Sequence, residues 1–143
     1  MEGEWLIGEV ASPQLKKKGF HKPGYGIYVT NSRIIGVEFP QGFYSSMLGR
    51  PDGRMRRKTI EAAAPKTLLE LETMNKDFQI RKEQVTRIEV KKPGAMIGAG
   101  HLSITQRAGK TTEVVITAGG KKDFESIRDL MQKFLPGAVK VEE

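Results

Sequence analysis

Five basic side chains crowd one short stretch, "LKKKGFHK", in which Lys16, Lys17, Lys18, His21 and Lys22 surround Phe20. Several ammonium groups close together can neutralise a multiply charged phosphate, and an aromatic side chain among them can dip into lipid. Near an anionic membrane each such cation contributes about 1 kcal/mol. Lysine is also a flexible point charge without the planar fork of arginine, so a solvated connection between strands is the competing reading. A second group lies in "GRPDGRMRRK", where Arg50, Arg54, Arg56, Arg57 and Lys58 face a single acid, Asp52. Arginines in a glycine-containing loop suit bidentate contacts to phosphate. Phe43, Tyr44, Met47 and Leu48 just upstream suit docking of a protein partner, and a charged solvated insertion explains the same residues without a ligand.

Catalysis has little to work with. The two histidines, His21 and His101, are 80 positions apart, and there is no cysteine. Neither a metal-binding histidine spacing nor a G-x-S-x-G nucleophile turn occurs. Metal, cofactor and catalytic residues are therefore all expected to be absent. The glycines of "KKPGAMIGAGH" lie between strand-like segments and do not lead from a strand into a helix, so they read as a turn and not as a phosphate loop.

The 143 residues are 38% hydrophobic, enough for one domain spanning 1–143 with a core of its own. Lys and Arg total 24 against 17 acids, a net charge of +7, and the first 60 residues carry ten cations and five anions. That imbalance favours polyanions. The start, "MEGEWLIGEVASPQ", is acidic and lacks the long apolar run of a secretory signal, and no segment is long enough for a membrane span. A cytoplasmic protein is expected, peripheral at most to the inner face of a membrane.

Several elements must position these groups. "EWLIGEV" reads as a first strand, with Trp5 and Ile7 on one face and Leu6 on the other, followed by loop from Ala11 to Gly24. "YGIYVT" and "RIIGVEF" form a hairpin turning at Asn31-Ser32, where asparagine tolerates left-handed backbone. Arg33 is placed to reach back to carbonyls of that hairpin. Residues 41–64 are irregular. "PKTLLELETMN" favours a short helix beginning at its proline, with Leu68, Leu69 and Leu71 on a stripe. Strand texture returns in "FQI", "VTRIEVKK" and the hairpin "HLSITQRAGKTTEVVIT". Phe124, Ile127, Leu130, Met131, Phe134 and Leu135 then recur at helical steps, with Asp123 as the cap and Pro136-Gly137 as the stop.

"YGIYVTNSRIIGV", "DFQIRKEQVTRIEV", the "LSITQRAGKTTEVVIT" hairpin and the helix "FESIRDLMQKFL" resemble, in order and spacing, bacterial and archaeal pleckstrin-homology-like (PH-like, GRAM-like) domains. The resemblance covers about half of the chain, residues 4–10, 25–39, 77–92 and 101–135. It implies a mainly β fold: a strongly bent antiparallel sheet, or partly open seven-stranded barrel, capped by the C-terminal helix, with an irregular and helical insertion at about 41–76. It also implies a non-enzymatic binding or adaptor domain. In related domains the loop between the first two strands grips inositol phosphates, which points to Lys16, Lys17, Lys18, Phe20, His21 and Lys22. The strand that follows, "YGIYV", lacks the basic residue those domains carry. The expected partner is a protein or an anionic lipid surface, with self-association through sheet edges or the helix. A small basic nucleic-acid-binding module is the alternative, disfavoured because no strand presents a row of aromatics for stacking bases.

Overall fold

Tyr25, Ile27 and Val29 fall on one face of a strand and Tyr28 on the other, yet all four are buried. A strand buried on both faces needs a layer on each side, and that requirement organises the fold. The structure is a computed structural model describing residues 3–19, 24–39, 65 and 67–143. Its strands are β1 (Leu6–Ser12), β2 (Leu15–Lys17), β3 (Tyr25–Thr30), β4 (Arg33–Glu38), β5 (Phe78–Arg81), β6 (Val85–Lys91), β7 (Gly100–Gln106), β8 (Thr111–Ile116) and β9 (Val139–Glu142). The helices are α1 (Leu68–Glu72) and α2 (Lys121–Phe134).

The strands form two sheets, ordered β1-β3-β4-β5 and β2-β8-β7-β6-β9. The inner faces of both enclose the main core, in which Tyr25, Ile27 and Ile34 of the first sheet meet Val90, Leu102 and Ile116 of the second. Helix α2 completes it. Phe124, Ile127, Leu130, Met131 and Phe134 are all buried, as their three- and four-residue spacing predicts. Tyr28, Ile35, Val37 and Leu71 form a second cluster on the other face of the first sheet, with Leu6, Leu68 and Met74 packed against it. Residues just before β5 thus cover the side of β3 and β4 that α2 does not reach. The molecule is mainly β with a C-terminal helix, and none of its described helices is long and apolar enough to cross a membrane.

Several expectations need correction. The stretch from Ala11 to Gly24 is not all loop. β1 runs on to Ser12, and after a corner at Pro13-Gln14 the chain pairs again, with Leu15 opposite Ile116 and Lys17 opposite Val114. Leu15 drives this, because pairing along the edge of β8 buries it completely. The described residues form nine strands in two sheets where seven strands were expected, and β9 lies parallel to β6 where an all-antiparallel arrangement was expected. The α1 stripe is narrower than read: Leu71 is buried, Leu68 is half-buried and Leu69 is 79% exposed. The helix starts from Thr67, whose hydroxyl accepts the Glu70 amide at 3.1 Å, so Pro65 stands before the cap. The irregular stretch expected over residues 41–64 lies outside the described residues.

The hairpin turn also works differently. Asn31 has no positive φ; its side-chain oxygen accepts the Trp5 amide at 2.9 Å instead. The Thr30 hydroxyl accepts the amides of Ser32 and Arg33 at 3.1 and 3.0 Å. Arg33 reaches side chains of other elements rather than carbonyls of its own hairpin. Its Nε and Nη2 donate to the two Glu4 oxygens at 2.7 and 3.1 Å, Nη1 donates to Gln79 at 2.6 Å, and Nη2 also pairs with Glu72. One guanidinium thereby ties the segment before β1, the start of β4, helix α1 and strand β5 together.

Asp123 does not cap α2. Gly120 occupies the cap position without a side-chain bond, and Asp123 turns inward, 5% exposed, to accept the Ser12 hydroxyl at 2.6 Å. Ser12 Oγ in turn accepts the Gln14 amide at 2.9 Å, which fixes the corner between the sheets. Truncating Ser12 removes a donor from a buried carboxylate, a loss of about 1–3 kcal/mol. We expect Ser12→Ala to lower unfolding free energy by that amount in urea titrations. A loss below about 0.5 kcal/mol would show that the corner is held by other contacts.

Candidate functional site

Lys17 and Lys18 leave the end of β2 towards two different carboxylates. Lys17 Nζ is 2.8 Å from Asp77 Oδ1, and Lys18 Nζ is 2.9 Å from Glu113 Oε2. Asp77 is a junction. Its amide donates to the Gly36 carbonyl at 2.7 Å, which fixes it just before β5, and its second oxygen accepts the Tyr25 hydroxyl at 2.6 Å. The hydrogen bond to Asp77 holds the Lys17 ammonium above its ordinary pKa. Burial, reinforced by the bond to Asp77, pushes the Tyr25 hydroxyl well above the usual tyrosine range, so it stays a donor. These bonds join β2 and β3 to the start of β5 at one end of the core.

Between them opens a cleft of about 430 Å³, lined by Lys17, Lys18, Asp77, Phe78, Lys110, Thr111, Thr112 and Glu113. Lys110 arrives from the β7–β8 turn, where Gly109 takes φ +91° and lets the chain reverse. Three lysines and two threonines from segments more than 90 positions apart thus line one cleft together with two acidic residues. Such a lining can donate hydrogen bonds to, and neutralise the charge of, a phosphorylated anion that displaces Glu113 from the largely exposed Lys18.

The basic residues read from the sequence fare unequally. Lys17 and Lys18 come together in the cleft, as strand-end side chains and not as loop residues. Lys16 points to the opposite face of β2, in the cross-strand row that continues through Val115 and His101 to Lys91, and so does not line the cleft. Phe20, His21 and Lys22 lie outside the described residues, as do Arg50, Arg54, Arg56, Arg57 and Lys58. Lys110 was missed as a site residue. The "AGK" turn marked its position, but nothing in the order of residues said which loop it would face. His101 Nδ1 is 3.8 Å from Glu113 Oε1, on the outer face of the five-stranded sheet. No cluster of metal-binding side chains is found among the described residues.

Set against known proteins, the chain matches no family model and no curated protein.

Proposed function

We propose that this protein is a non-enzymatic binding domain of PH-like type, acting in the cytoplasm, whose cleft between β2, β5 and the β7–β8 turn takes a phosphorylated anion. The observation that carries this reading is the convergence of Lys17, Lys18 and Lys110 on one cleft. The strand order also supports the PH-like assignment, because β1 passes through the Pro13-Gln14 corner into the second sheet and α2 packs against β1, β3 and β6. Self-association would use a sheet edge, β5 or β9, whose outer backbone groups have no neighbouring strand among the described residues.

Lys17 is unsuited to a test, since removing it leaves Asp77 without its ion pair. Lys18 and Lys110 are exposed and separable from folding. We expect the Lys18→Gln/Lys110→Gln double variant to bind an inositol polyphosphate at least about tenfold more weakly by titration calorimetry, in line with two charge-assisted contacts of about 1 kcal/mol or more each. Vesicles carrying phosphoinositides form the second arm. Binding to the free anion alone identifies a soluble ligand, and equal binding to both identifies the headgroup. Unchanged affinity in the double variant would remove the cleft as the site, and steep salt-dependent binding to nucleic acid alone would replace this reading with the nucleic-acid one.

A further inference from the structure

Four large apolar side chains are strongly exposed among the described residues: Trp5, Leu69, Met96 and Ile97. The first two stand alone, as scattered surface apolar residues do. Met96 and Ile97 are adjacent, 89% and 88% exposed, at the tip of the loop joining β6 to β7.

The loop is built to hold them out. The Gly94 amide donates to the Gly98 carbonyl at 2.9 Å, closing the loop across its base. Gly98 has φ +94°, and a Cβ on Gly94 would come within 1.8 Å of the Ile97 carbonyl oxygen, so neither position accepts another residue without rearrangement. A second bond, Gly119 N–H to Gly94 O at 2.9 Å, fastens the loop to the turn that opens α2. Two apolar side chains are thus presented on a braced support.

Their surroundings carry one dominant sign. Lys91 and Lys92 lead into the loop, and Lys121 and Lys122 follow the turn that braces it. No acid occurs from Val90 to Gly100 or from Val114 to Lys122. The acids near this end are Glu142, the register partner of Lys91 on β9, Glu143 after it, and Glu125 one turn along α2 from Lys121, while Asp123 is turned inward to Ser12. Four lysines against three carboxylates leave a net positive collar around an apolar point.

We propose that the β6–β7 loop inserts Met96 and Ile97 into an anionic lipid bilayer, with Lys91, Lys92, Lys121 and Lys122 resting on the headgroups. Flexible ammonium groups suit a fluid anionic surface, and a two-residue apolar projection suits shallow insertion better than docking into a shaped groove. This site lies at the far end of β8 from the cleft, about 17 Å away along six residues of strand, and does not depend on the cleft reading.

The test is sedimentation with phosphatidylcholine vesicles, with and without phosphatidylserine, under low salt. We expect binding only to the mixed vesicles, weakened at least about tenfold by Met96→Ser/Ile97→Ser and about fivefold for each lysine lost in Lys121→Gln/Lys122→Gln. The Met96→Ser/Ile97→Ser variant should still bind free inositol polyphosphate like wild type, which separates failure here from failure of the cleft. An Ile97→Trp variant in a Trp5→Phe background should shift its emission to the blue with mixed vesicles. Undiminished binding after the tip is changed would overturn the proposal. So would an unshifted emission, or a tip variant that instead abolishes self-association without lipid.

Discussion

Replacing Phe124 by alanine is expected to cost about 3–5 kcal/mol of unfolding free energy and to lower the melting temperature by about 10 °C. Phe124 is 1% exposed on the face of α2 that closes the main core. The helix also packs tightly on β1, where a Cβ on Gly8 would lie 2.8 Å from the Leu130 side chain. Neighbours held by two sheets cannot collapse far into the space the ring leaves, so the penalty belongs near the upper end of the range. Leu69→Ala, at a position 79% exposed, should change stability by less than about 0.5 kcal/mol. Urea titration measures both. Similar values for the two variants would mean that α2 does not close the core.

The second large effect concerns acid. Glu4 accepts hydrogen bonds from Arg33 and from the hydroxyls of Thr30 and Ser32, the latter two at 2.6 and 2.8 Å. The Arg33 contact, outweighing a partial burial that acts the other way, holds the Glu4 carboxyl down at about 2 from an ordinary value of 4.5. A depressed carboxylate stabilises the fold above its unfolded pKa and loses that contribution as pH falls towards the folded value. The window here runs from about 4.5 down to about 2, and the contribution is on the order of 2–3 kcal/mol. Glu4→Gln should therefore lose about that much at neutral pH and show a flatter acid limb than wild type. If the two proteins lose stability in parallel below pH 5, another carboxylate controls the acid transition.

What the sequence made legible is what local pattern encodes. The β3–β4 and β7–β8 hairpins follow from two-residue alternation around short turns, and α2 from apolar residues at three- and four-residue steps. β2 and β9 are three and four residues long, and they exist because β8 and β6 offer edges to pair with. No local preference announces such strands. Asp123 illustrates the same limit: at the head of a helix it reads as a cap, but Ser12, 111 positions away, supplies a better buried partner. The candidate cleft was half visible. The lysine run stood out, whereas Asp77, 60 positions from Lys17, and Glu113 and Lys110 reach it only through the sheet order. Met96 and Ile97 read as ordinary turn residues because exposure belongs to the fold and not to the residue type.

The measurement that bears most directly on the proposed function is a nitrogen-15 NMR titration of the whole chain with an inositol polyphosphate. Amide shifts gathered at Lys17, Lys18 and Lys110 to Glu113, with the loop from Gly94 to Gly98 unmoved, are the expected result. Shifts that miss those residues, or a spectrum that does not change at all, would contradict it.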